Sequence, residues 1–256
     1  MRRASTCLAV VGLAVLALTS VASATPVVTL KAKAVAIPGF PHTGNFLGAG
    51  AAAEATFHIS GTEYAGFPPP LIGVNFFLPT GSKIHTAGFK TCPTPTLEAK
   101  EPAKCPPKSK AGPTGHAEGV VRFGKGEPTK EQVTIESFYI AGGLGFYTEG
   151  HSPVQLEFFS KGKYTGLGGS GGFGPQLITE IPLVETVPGA PDASVEFINV
   201  KVGSAFKSKG KPVYYGMTPK KCKGAWKGKA ELLFAGLGGL SPQTVSVPYS
   251  LPCPKH

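Results

Sequence analysis

Val133-Thr134-Ile135-Glu136-Ser137-Phe138 alternates apolar and polar side chains with a period of two, and no 3.6-residue stripe of useful length competes with it. A half-buried strand has that pattern, because successive side chains leave opposite faces of the pleat. The alternation recurs in Thr56-Phe57-His58-Ile59, Gly119-Val120-Val121-Arg122-Phe123 and Ser194-Val195-Glu196-Phe197-Ile198. Valine, isoleucine, phenylalanine and tyrosine dominate these segments, as pleated surfaces favour. Between them lie breakers such as Phe67-Pro68-Pro69-Pro70, Gly142-Gly143 and Pro188-Gly189-Ala190-Pro191. About a dozen short strands at roughly ten-residue spacing predict an all-β fold, read as a β-sandwich of Ig-like or jelly-roll-like type.

The 256 residues include 35 Gly and 25 Pro, and only 16% are charged, which suits a loop-rich globular protein. The run Gly166-Leu167-Gly168-Gly169-Ser170-Gly171-Gly172-Phe173-Gly174 is the expected boundary. It divides the chain into an N-terminal sandwich domain (25–165), a Gly-rich linker or loop (166–175) and a C-terminal sandwich domain (176–256). One large sandwich, in which the run is only a long loop, is the alternative.

Arg2 and Arg3, the apolar run from Cys7 to Leu18, and Ala22-Ser23-Ala24 together read as a secretory signal peptide over residues 1–24, cleaved after Ala24. The apolar run is shorter than the roughly 20 residues that span a bilayer, so no transmembrane anchor is expected after its removal. The expected location is secreted or extracellular, in association with a cell wall. Export leaves Cys92, Cys105, Cys222 and Cys253, an even count that reads as two disulfides in an oxidising compartment. Proximity favours Cys92–Cys105 and Cys222–Cys253. Strands over Lys229–Ala235 and Gln243–Leu251, joined by Gly236-Leu237-Gly238-Gly239, would bring the second pair together at the open end of a hairpin. A zinc site is the competing reading; it lacks a Cys-x-x-Cys. No metal and no cofactor is expected.

Several motifs match catalytic patterns without their structural context. Gly166-x-Gly168-x-x-Gly171 fits the dinucleotide fingerprint, and Gly168-Gly169-Ser170-Gly171-Gly172 fits the nucleophile elbow, with Asp192 and His256 following. Both motifs need a helix after the glycines, whereas Phe173-Gly174-Pro175 and a strand follow here. His116 with Glu118, and Glu149 with His151, each share a strand face. On neighbouring strands the four could hold zinc or form an acid–base pair. Asp192 is the only aspartate, which argues against paired-aspartate proteases and Asp-rich calcium loops. Any glycosidase pair would come from the 14 glutamates, and no catalytic residue is singled out.

Charge is the clearest non-random feature. After residue 24 the chain carries a net +8, and nine of its lysines fall between Lys201 and Lys229 with no acid among them. These are Lys201, Lys207, Lys209, Lys211, Lys220, Lys221, Lys223, Lys227 and Lys229. Such a field attracts polyanions, so an anionic polysaccharide or cell-wall polymer is the expected partner. Arg122 is the only arginine after Arg3, which argues against sequence-specific nucleic-acid reading. Trp226, within the basic segment, and Tyr214 or Tyr215 would be the stacking rings, or Trp226 would cap the neighbouring disulfide. Lysines that only keep turns and sheet edges soluble are the plain alternative. The adjacent pairs Phe138-Tyr139, Phe146-Tyr147 and Phe158-Phe159 require that both faces of a strand be covered, or that one ring be exposed.

Further stretches carry a resemblance: Pro69-Pro70-Leu71-Ile72-Gly73-Val74-Asn75-Phe76, the loop from Cys92 to Cys105, Thr148-Glu149-Gly150-His151-Ser152-Pro153, and Val184-Glu185-Thr186-Val187-Pro188-Gly189-Ala190-Pro191. Tyr214-Tyr215-Gly216, Lys220-Lys221-Cys222 and Pro252-Cys253-Pro254 belong with them. In these the chain resembles a family of uncharacterised secreted proteins of soil actinobacteria. The resemblance supports export and both cysteine pairs and implies no activity, cofactor or catalytic residue. The resulting expectation is a non-enzymatic envelope protein that binds anionic or carbohydrate polymers. Its rivals are a polysaccharide hydrolase with a Glu pair and a ligand-free structural protein.

Overall fold

The computed structural model describes residues 25–121, 127–152, 155–187, 190–191, 193–237, 239 and 241–254. The expected signal peptide, Arg122, Asp192 and His256 lie outside them. Among the described residues, seventeen strands follow in chain order: β1 (Val27–Val35), β2 (Ala52–Ser60), β3 (Leu71–Phe77), β4 (Lys83–Ile84), β5 (Gly115–Val121), β6 (Thr129–Ile140), β7 (Gly143–Gly150), β8 (Leu156–Thr165) and β9 (Gln176–Glu180). Then come β10 (Glu185–Val187), β11 (Ala190–Pro191), β12 (Ala193–Val202), β13 (Ala205–Ser208), β14 (Lys211–Tyr214), β15 (Gly216–Met217), β16 (Ala225–Phe234) and β17 (Gln243–Pro252). The all-β reading holds.

The layering differs from the expected pair of lobes. Eleven strands form one sheet in the order β1-β2-β12-β5-β6-β7-β8-β9-β3-β16-β17, every neighbour antiparallel. β9, β12, β16 and β17, which follow the Gly-rich run, are interleaved with strands that precede it. Residues 166–175 therefore form the loop of the β8–β9 hairpin rather than a linker between two sheets. Gly166, Gly169, Gly171 and Gly172 adopt positive φ there, which explains the glycines without any phosphate or nucleophile chemistry. The sheet curls until its edge strands β1 and β17 approach within 8 Å between Cα atoms, so it is nearly closed. With an odd number of alternating strands, these two run in the same direction.

One face of the sheet lines the interior. Inward residues at the seam side, among them Phe57, Ile59, Leu71, Leu232 and Phe234, form one buried cluster. A second cluster stoppers the opposite end under β6–β9: Tyr139, Leu144 and Tyr215, with Phe89 and Tyr164 against them. Tyr139, Leu144 and Tyr164 reach it from β6, β7 and β8, while Phe89 and Tyr215 come from the long connections 78–114 and 203–224. Its rings pack at centroid distances of 5.2 Å (Phe89–Tyr139), 5.1 Å (Phe89–Tyr215) and 4.2 Å (Tyr139–Tyr215).

The outer face is covered locally. The short helix α1 (Thr94–Glu98) starts with Pro at its N-terminal positions and buries Leu97 completely against Tyr147, Phe138 and Phe159. The Cys92–Cys105 disulfide fixes that flap, closing a 13-residue separation. Phe138 and Tyr139 are thus both buried, one under the flap and one in the stopper, as the covered reading of the aromatic pairs requires. Cys222–Cys253 forms where expected, just beyond the Ala225–Pro252 end of the β16–β17 ladder.

Candidate functional site

An antiparallel barrel of about eight strands has an interior that side chains just fill, and width grows roughly linearly with strand number. Eleven strands leave more room, and this sequence lines part of the wall with very small residues. Ala32 and Ala34 on β1, Ala53 and Ala55 on β2, and Ala117 and Gly119 on β5 face inward. Ala34 and Ala53 are direct register partners. Opposite them stand Val74, Phe76, Leu144, Phe146, Phe158 and Leu177. Between the two buried clusters remains a cavity of about 280 Å³, lined almost wholly by apolar groups. Inward residues such as Val74, Phe76, Phe146 and Phe158 are only half-buried, because they face this space.

The polar groups in the cavity wall are few. Ser194 and Thr218 have protein partners: Ser194 donates to the Pro68 carbonyl at 2.7 Å, and Thr218 donates to Phe46 O and accepts from Ala49 N–H. Thr148, Ser160 and Thr179 are buried hydroxyls on the β7–β9 wall. Among the described residues, Glu131 is the only buried carboxyl group, 3% exposed and facing inward opposite Gly119. Burial pushes Tyr139 up to about 12, with hydrogen bonding to Ser204 opposing it, and holds Tyr164 well above the ordinary tyrosine value.

The wall has a gap. β9 pairs only with Lys161–Thr165 of β8, and the chain then follows β3, with Ile181 N–H donating to Ile72 O at 2.9 Å. Among the described residues, Leu156–Ser160 have no ladder partner on that side. A surface depression of about 260 Å³ lies there, and it shares Leu156, Phe158 and Val184 with the cavity. Leu183, 41% exposed, stands at its edge.

The sequence-predicted site residues divide into three groups. Lys207, Lys209 and Lys211 lie exposed on the β13–β14 hairpin, and Lys220, Lys221, Lys223 and Lys227 lie exposed before and at the start of β16. Lys201 and Lys229 are half-buried: Lys201 is the register partner of Glu54, while Lys229 bonds Glu231 at 2.6 Å and sits 4.4 Å from the Phe77 ring centroid. Trp226 is not an outward stacking ring. It is 4% exposed, faces the interior with Gly228 and Ala230, and donates its indole N–H to Lys221 O at 2.9 Å. Tyr215 is equally buried in the stopper, and half-buried Tyr214 packs edge-on against Phe40.

The His–Glu quartet is not assembled, because β6 separates β5 from β7 and puts Thr134 between His116 and Glu149. His116 instead packs against Phe197, as does His58. Among the described residues no group of three metal-ligating side chains forms. Among the described residues Glu131 is the one buried carboxyl group facing the cavity, while Glu149 and Glu157 oppose each other on the outer face. There, burial and then Glu157 push Tyr147 up to about 12.

The cavity wall itself escaped the sequence reading. Its signal was available as small residues at period two, Ala32 and Ala34, then Ala53 and Ala55. No helix among the described residues is long and apolar enough to cross a membrane. No family model, no curated protein and no solved structure matches the chain.

Proposed function

We propose that this is an exported, non-enzymatic binding protein that holds a small apolar molecule inside its nearly closed sheet. One observation carries the reading: a cavity of about 280 Å³ whose wall is apolar side chains and the backbone beside small ones. An engineered apolar cavity of about 150 Å³ already binds benzene, so this one has room for a larger molecule. Binding would be driven by removing apolar surface from water, at about 25 cal/mol per Å². The two disulfides support an extracellular setting.

Trp226, the only tryptophan, lines the cavity and serves as an energy-transfer donor. Titration with neutral N-phenyl-1-naphthylamine should give saturable, one-to-one quenching of its emission. Ala34→Leu with Ala53→Leu should abolish that quenching and leave the far-UV spectrum unchanged. Quenching that never saturates in the parent protein, or survives the double substitution, refutes the reading.

Polymer binding through the lysine-rich connection is a second reading. It is favoured by Lys207, Lys209, Lys211, Lys220, Lys221, Lys223 and Lys227, all exposed and in no ion pair among the described residues. Co-sedimentation with isolated cell walls across a salt series tests it. Release by salt, and weakening by Lys207→Gln with Lys209→Gln and Lys211→Gln, supports it. Protein that stays in the supernatant at every salt concentration leaves the lysines as a solubility device.

A further inference from the structure

The cavity is apolar but not featureless. Thr148, Ser160 and Thr179 are 4%, 3% and 8% exposed, and all three line it. Register places them on one diagonal across the wall. Thr148 of β7 stands opposite Phe158, two residues before Ser160 on β8, and Thr179 of β9 stands opposite Gly162, two residues after it. Gly162 keeps the diagonal open, since a Cβ there would come 3.0 Å from the Thr179 hydroxyl. None of the three hydroxyls has a hydrogen-bond partner among the described residues, unlike Ser194 and Thr218 in the same wall. Buried polar groups are normally paired, so a row of three open hydroxyls calls for a partner that enters the cavity.

We propose that this diagonal, with Ser160 at its centre and Thr148 or Thr179 as the second contact, reads an oxygen function on the ligand, which is a neutral lipophile bearing a hydroxyl or carbonyl group. This rests on the cavity reading above and adds the ligand's chemical class. A hydroxyl both donates and accepts, so the row suits an alcohol, ketone or ester oxygen. An anionic head group is disfavoured. Lys33 and Lys83, the lysines at the cavity margin, are exposed, and the one buried carboxyl group among the described lining residues is Glu131. A carboxylate drawn into an almost wholly apolar wall would lose its hydration.

The probes are naphthalene, 2-naphthol and 2-naphthoate, three bodies of one shape, titrated against the disulfide-intact protein by Trp226 quenching. The expected result is that 2-naphthol and naphthalene bind and 2-naphthoate binds more weakly than either. Thr148→Val with Ser160→Ala and Thr179→Val should then weaken 2-naphthol about tenfold or more, at about three- to tenfold per hydrogen bond, and leave naphthalene unchanged or tighter. Ser160→Ala alone, with unchanged thermal stability, should show the same selective loss on a smaller scale. A variant that loses both neutral probes equally, or a parent that prefers 2-naphthoate, overturns the assignment while leaving an apolar cavity. Failure of all three probes to bind the parent overturns the cavity reading itself.

Discussion

Tyr249 lies across Gly228, its register partner on the adjoining strand, and its hydroxyl donates to the Phe77 carbonyl at 3.0 Å on the strand beyond. The ring stacks on Phe76 at a centroid distance of 5.1 Å. One side chain thus ties β17 over β16 to β3, beside the seam where the sheet has its last edge. Only glycine permits this, because a Cβ at position 228 would overlap the Tyr249 ring and come 2.6 Å from the Phe77 carbonyl.

Gly228→Ala should therefore cost about 1–3 kcal/mol by overpacking. Tyr249→Phe, which keeps the ring and loses the hydrogen bond, should cost about 1 kcal/mol. Urea unfolding of both variants checks the order. Equal stability of Gly228→Ala and the parent would mean that the ring has another place to lie.

The buried phenols set the alkaline limit of the fold. Tyr139 and Tyr147 are each pushed up to about 12, and Tyr164, Tyr215 and Tyr249 are also raised, burial being the leading cause in every case. A phenol raised above its unfolded value near 10 favours the folded state fully below that pH. The contribution is lost as pH climbs from about 10 through the folded value, because the unfolded chain then releases its protons first. Stability should be flat up to about pH 10 and fall steeply above it. Absorbance titration should show five of the seven tyrosines ionising only together with loss of the near-ultraviolet circular dichroism. Their ionisation near pH 10 in a folded protein would contradict the packing.

Strand positions and the Cys222–Cys253 pairing were legible because both depend on local alternation and a nearby turn. The closing of the sheet was not. β9 inserts between β8 and β3, and β12 between β2 and β5, through pairings that no local pattern specifies. Residues 166–175 read as a linker or a loop, because glycine runs look alike whether they join domains or turn a hairpin. Trp226 adjoins Lys223 and Lys227 in sequence, yet it shares the inward parity of Gly228, Ala230, Leu232 and Phe234, opposite to Lys227. The hydroxyl diagonal needs three strands in register, so no single segment announces it.

The two disulfides should contribute unequally. Cys222–Cys253 spans 31 residues and Cys92–Cys105 spans 13. Loop-closure entropy gives about 3–4 kcal/mol for the first and about 3 kcal/mol for the second. Cys222→Ser with Cys253→Ser should lower the urea midpoint more than Cys92→Ser with Cys105→Ser. The reverse order would show that the flap over Leu97 and Tyr147 holds the sheet more strongly than chain connectivity does.

The gap between Leu156–Phe158 and Val184 should govern how fast a ligand comes and goes. The opposite end is stoppered by Phe89, Tyr139, Tyr164 and Tyr215, whereas the depression at the gap shares three residues with the cavity. Cys92, Cys105, Cys222 and Cys253 are disulfide-bonded, so Leu183→Cys supplies a lone thiol at the gap in protein lacking residues 1–24. A bulky maleimide there should slow N-phenyl-1-naphthylamine uptake and release severalfold in stopped-flow Trp226 quenching while leaving its equilibrium affinity unchanged, since an obstacle at the entrance alters the path and not the bound state. The same label on Leu167→Cys, 56% exposed in the β8–β9 loop, should change neither rate. Equal slowing at both positions, or at neither, would place the entrance elsewhere.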